Sequence, residues 1–162
     1  MKIFLILSLL VFSSCASFSR QGQFLSRLNL SNVSQVSIGK TTASDLRERF
    51  GEPSSILPVG QYQALIYAFE GRQRATFTVD SRQVVLAAIW MPFSDQECVS
   101  KECLLGFFKD AHFTEELKYE KVGKTEKVPY FDFHDRSKGI SFQMPKASNK
   151  VSAVTFDAQS QK

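Results

Sequence analysis

Cysteine and histidine are scarce in this chain, three of the first and two of the second in 162 residues. That scarcity leaves little for a metal centre. Cys98 and Cys103 could join His112 and His134 only as a Cys-x4-Cys pair followed by widely spaced histidines, which matches no tight zinc-ligand pattern. No Gly-x-Ser-x-Gly elbow occurs, so a serine-hydrolase reading has no anchor. Gly39-Lys40-Thr41 invites a phosphate-loop reading, yet the glycine that motif needs five positions earlier is Ser34. Asp132, His134 and Asp135 could supply general-base chemistry, but neighbours on a strand alternate faces. Only Asp132 and His134 would share one, and a surface polar pair is the expectation. Charge of one sign is lacking too, with 20 Lys+Arg interspersed among 16 Asp+Glu. The balance is too mild for a dedicated nucleic-acid binder. The sequence therefore predicts no catalytic residue, no metal, no cofactor and no nucleic-acid partner; the chain is not expected to be an enzyme.

The apolar run from Ile3 to Phe12 stops well short of the roughly 20 residues that cross a bilayer as a helix. Preceded by Lys2 and followed by Ser13-Ser14-Cys15, it has the layout of an export signal, with ordinary secretion and a buried N-terminal helix as the alternatives. Small residues ahead of a cysteine at this place resemble the bacterial lipobox, in which the cysteine is diacylated and becomes the mature N-terminus. The resemblance implies a signal peptide over 1–14, lipidation of Cys15 and a membrane reached through that lipid. Ala16 after the cysteine implies the outer membrane, periplasmic side. Assigning Cys15 to lipid leaves Cys98 and Cys103 as an even pair in an oxidising space, which suggests a disulfide closing a short loop. Two free structural thiols are the alternative.

Residues 15–31, rich in Ser, Gln and Asn, suit a polar tether. Thr42 to Asp45 reads as an N-cap with an acidic N3, followed by Leu46 and Phe50 on one stripe and by Gly51 and Pro53 as stops, which together predict a helix. Strand-like runs follow at 64–69, 74–79 and 84–90, with alternation that puts one face of an antiparallel sheet on a core and the other toward water. A helical stretch around Leu104 to Ala111 and runs at 130–134, 139–144 and 151–156 repeat that order. Glu115 to Lys127 mixes Glu and Lys and points to an exposed connection or hairpin. The 15 phenylalanines are expected to form the core.

The stretch from Asn32 to Pro53, with Ile38, Gly39, Thr41, Leu46, Phe50, Gly51 and Pro53, resembles the SmpA/OmlA family, the BamE-like outer-membrane lipoproteins. Coverage runs to about residue 92. The resemblance implies an α+β fold, a two-layer sandwich of short helices on an antiparallel sheet, and a role as an accessory of β-barrel assembly in the outer membrane. Gly39, Thr42, Asp45, Gly51 and Pro53 carry helix geometry in it and no chemistry. The doubled order predicts two helix-plus-three-strand units in tandem, 32–92 and 93–162. It is similar to the β-lactamase inhibitor proteins, whose two related units form a concave sheet that binds a partner protein.

The function expected from the sequence is thus a non-enzymatic, lipid-anchored periplasmic module that binds an envelope protein, with the β-barrel assembly machinery as the implied partner. The alternatives are a small-molecule or lipid-binding lipoprotein with an apolar cleft between helices and sheet, and an inhibitor or regulator of an envelope enzyme.

Overall fold

Alternating apolar and polar residues make strands, and strands dominate this protein. A computed structural model describes residues 27–69, 72–93, 97–122 and 126–158. Among them run eight strands: β1 (Ser55–Val59), β2 (Tyr62–Phe69), β3 (Arg72–Val79), β4 (Val85–Trp90), β5 (Thr114–Val122), β6 (Glu126–Asp135), β7 (Ile140–Pro145) and β8 (Ala153–Asp157). They form one sheet, antiparallel at every pairing, in the order β1-β2-β3-β4-β8-β7-β6-β5. The helices are short: α1 (Leu30–Ser34), α2 (Ala43–Phe50) and α3 (Lys101–Phe107).

This architecture corrects the expected α+β sandwich of two helix-plus-three-strand units. Helices of five, eight and seven residues do not amount to a layer matching an eight-stranded sheet, and each half contributes four strands, not three. The two strands beyond the expected six are the sheet's edges, and of the connection or hairpin expected over Glu115 to Lys127 the hairpin is what forms. All five residues of β1 are exposed and one is Pro58, so no buried-face alternation marks it. β5 is the Glu/Lys-rich stretch, and it pairs with β6 as a hairpin from Thr114↔His134 to Val122↔Glu126. The halves also do not stand apart as units. β4 pairs directly with β8, from Ala87↔Asp157 to Trp90↔Val154, and fuses them into one sheet.

Directly opposed residues share a face, so the register sorts the sheet into rows. Tyr67, Ala75, Trp90, Val154, Phe142 and Phe133 form one row, and all six are buried. The opposite face carries Ile66, Thr76, Ile89, Thr155, Ser141 and His134. The short helices cover the apolar face. Phe50 of α2 stacks on Phe77 at 5.5 Å and meets Tyr67 edge-on at 6.0 Å, while Phe133 and Phe142 stack at 4.6 Å. Each such ring taken out of water stabilises the fold by roughly 1.5–3 kcal/mol.

Local chemistry fixes α2 against the sheet. Thr42 N–H donates to Asp45 Oδ2 at 2.8 Å and Asp45 N–H to Thr42 Oγ1 at 3.3 Å, a reciprocal cap. Gly51 ends the helix at φ 87° and ψ −170°, a conformation open essentially to glycine alone. Ahead of α2, Gly39 N–H donates to Val85 O at 2.7 Å and Val85 N–H to Thr41 O at 2.9 Å, which pins the preceding loop to β4. Of the expected tether, 15–26 lie outside the described residues, as do Cys15 and the export signal; Leu28 and Leu30 are buried, and Trp90 Nε1–H donates to Leu28 O at 3.0 Å.

Candidate functional site

Three surface features stand out on this frame, and the edge strand β1 is the first. Its sequence, Ser-Ile-Leu-Pro-Val, holds no charge, and Ile56, Leu57 and Val59 are 47%, 50% and 51% exposed. Among the described residues no strand pairs with its outer side. An uncharged, apolar sheet edge is a template for another chain unless something blunts it. Pro58 removes one donor and so blunts the edge in part, but adds no charge.

The second feature is a cleft of about 510 Å³ on the helix-covered side, where the loop between α1 and α2, the end of α3 and the ends of β7 and β8 meet. Ile38, Phe107, Phe108, Ile140 and Phe156 supply apolar lining, and Lys40, Lys138 and Asp157 supply charge.

The third is a polar cluster on the opposite face. Antiparallel register sets Glu116 opposite Asp132, with His134 two residues along β6 on the same face. Lys118 Nζ donates to Asp132 Oδ2 and lies 3.4 Å from Glu116 Oε2; the hydrogen bond to Asp132 raises the pKa of the Lys118 ammonium. Donor atoms of Glu116, Asp132 and His134 lie within 4.8 Å of one another, a set of metal-ligating type. The single Lys118 ammonium already pairs with both carboxylates there and offsets one of their two charges, so a metal would have to displace it. His134 Nδ1 is buried without a hydrogen-bond partner among the described residues, and Nε2 is 3.6 Å from Glu116 Oε1. Ser141 faces His134 across β6 and β7, but no hydrogen bond joins them among the described residues, so the nucleophile–base contact of acyl-transfer chemistry is not made. A cavity of about 330 Å³ borders this cluster.

The residues singled out from the sequence lie elsewhere. Cys98 and Cys103 are joined by a disulfide with Cα atoms 5.5 Å apart, which leaves neither thiolate for zinc. The bridge holds the start of α3, whose N-cap Ser100 Oγ accepts from Cys103 N–H at 3.2 Å. His112 engages Asp135 through its backbone N–H. Gly39 lies in the loop that lines one side of the cleft, Thr42, Asp45 and Gly51 cap and end α2, which supplies no lining residue, and Pro53 follows the helix stop. Asp132 and His134 share a face, joined there by Glu116 and Lys118. The charged stretch gave no hint of those two beyond solvation; only the alternation Glu116, Lys118, Glu120 carried the signal of a strand face.

No known family model matches the chain, and no curated protein does either. Among solved structures it is similar to YjgB, a DUF4309 family protein from Bacillus subtilis subsp. subtilis str. 168, at 13% identity and a TM-score of 0.48, covering 86% of this chain and 99% of that one. It is also similar to an extracellular protein containing a SCP domain from Bacillus anthracis str. Ames, at 16% identity and a TM-score of 0.45, covering 82% of this chain and 46% of that one. Neither is an SmpA/OmlA protein. Both likenesses are too distant to pass a function to this chain. Among the described residues no helix is long and apolar enough to cross a membrane.

Proposed function

We propose that this protein is a non-enzymatic, lipid-anchored module of the cell envelope that binds another protein along the free edge of β1. The observation that carries the reading is the exposure of Ile56, Leu57 and Val59 on an edge strand without a single charge. An extended segment of a partner added beside β1 would satisfy the strand's outward backbone groups and cover those side chains. The anchor is supported by Lys2, the run Ile3 to Phe12 and Ser13-Ser14-Cys15. Two lipid chains would hold the domain at a membrane without spanning it and would concentrate it beside membrane partners. Ala16 supports the outer membrane, and the SmpA/OmlA-like stretch supports a partner in β-barrel assembly.

A photocrosslinking amino acid at position 57 of the full chain, compared with one at position 119 on the opposite edge, tests the reading in cells. The expected result is an adduct with another envelope protein from position 57 only, lost when Val59→Lys is added. A barrel-assembly component in that adduct would give the family resemblance its function. Equal adducts from both edges, or the chain crosslinked to itself alone, would defeat the edge reading. Cys15→Ser is expected to move the protein from the membrane to the soluble fraction; retention at the membrane would remove the lipid anchor from the account.

A further inference from the structure

The cleft beside α3 has a composition that edge-to-edge docking does not require. Phe107, Phe108, Ile140 and Phe156 give it an apolar lining, while Lys40 and Lys138 contribute two exposed cationic residues. Neither lysine belongs to an ion pair among the described residues. Asp157 is the one acid in the lining, so the charge there is net positive.

Both lysines stand on turns that are fixed before any ligand arrives. Lys40 N–H donates to Ser37 O at 3.1 Å within the loop that Gly39 and Thr41 pin to β4. Lys138 lies in the β6–β7 turn, where the Asp135 carboxylate accepts from Ser137 Oγ at 2.6 Å, Ser137 N–H at 2.9 Å and Lys138 N–H at 3.2 Å. Apolar walls with two cationic side chains carried on held turns, in a volume of about 510 Å³, are the makings of a small-molecule site. A cleft of that volume is of the size that takes one small ligand.

We propose that this cleft binds a single-chain anionic amphiphile of the fatty-acid class, its chain against Phe107, Phe108, Ile140 and Phe156 and its carboxylate at Lys40 and Lys138. The carboxylate stays at the solvated rim, where ion pairing does not require full desolvation of either partner. Binding here is independent of the β1 edge, and each can fail without the other.

The test is photolabelling of the full chain with a diazirine-bearing dodecanoate, followed by peptide mapping. Expected is saturable labelling of the peptides carrying Phe107–Phe108 and Ile140, competed by dodecanoate and reduced at least tenfold by Lys40→Glu combined with Lys138→Glu. The matching diazirine alcohol should label those peptides equally in both proteins. Phe107→Asp, at a residue 42% exposed, should reduce labelling by acid and alcohol alike without disturbing the core. Unsaturable labelling, labelling spread over the surface, or labelling indifferent to the charge reversal or to Phe107→Asp would overturn the proposal. Stronger labelling of the same peptides by a diazirine phosphatidylglycerol in vesicles than by the fatty acid would overturn the single-chain assignment.

Discussion

The two edges of the one sheet are built from opposite material. β5 alternates Leu117 and Tyr119 with Glu116, Lys118 and Glu120, so its apolar side chains, 44% and 60% exposed, are separated by charges that oppose pairing with a stranger. β1 presents Ile56, Leu57 and Val59 with no charge between them. Protection of one edge and exposure of the other is what an asymmetric, single-partner surface requires. A sheet defended at both ends would bind nothing by strand addition, and one open at both would tend to polymerise.

The largest expected effects test whether these edges belong to one cooperative body. Phe77→Ala in the first half and Phe142→Ala in the second should each cost about 3–5 kcal/mol, because both rings are fully buried. Each should lower a single urea transition; two separable transitions would split the molecule at the β4–β8 seam. Next in size, replacing Cys98 and Cys103 by Ser should cost about 2 kcal/mol in the same assay, the loop closed being short. A loss near zero would show that α3 is already held by its cap and its neighbours.

The turns of the two halves give a matched acid titration. Asp80 accepts from Val84 N–H and Arg82 N–H, and Asp135 from Ser137 and His112 N–H; these hydrogen bonds hold both carboxyls below the usual carboxylate range. A carboxyl whose folded pKa is depressed adds stability that is complete above the unfolded value of about 3.9 and fades as pH falls through the folded one. Asp80→Asn and Asp135→Asn should therefore each lower the urea midpoint at pH 7 and narrow their deficit against the parent protein below about pH 3. A deficit unchanged by pH would assign these residues a purely geometric role. The smallest stability effects belong to the edges: Val59→Lys and Leu117→Lys should each stay within about 0.5 kcal/mol of the parent, yet only the first should abolish the position-57 adduct.

Legibility of the sequence followed the range of the forces involved. α2 could be read because Thr42, Asp45 and Gly51 act on their own turn. Six of the eight strands could be read because one face of each meets the core. β1 could not, since all five of its residues are exposed; β5 could be read only as one of two alternatives, because its alternation of Glu and Lys with Leu117 and Tyr119 has no buried face to set it apart from a solvated connection, and the β4–β8 pairing leaves no local trace at all. The cysteine pair was accessible by counting. The cleft was not, because Lys40 and Lys138 come from opposite halves and only the fused sheet brings their turns to one place.

That seam also governs how the chain must assemble. β8 follows the other seven strands in sequence yet lies in the middle of the sheet, between β4 and β7. Until it has emerged, Trp90 and Phe142 lack the strand that separates their own, and β4 and β7 both carry unpaired inner edges. Pairing across so long a span makes folding slow and leaves half-made sheet open to misassociation. Under the export proposed for this chain, this order of events would favour passage through a translocation pore, because the central strand is delivered last.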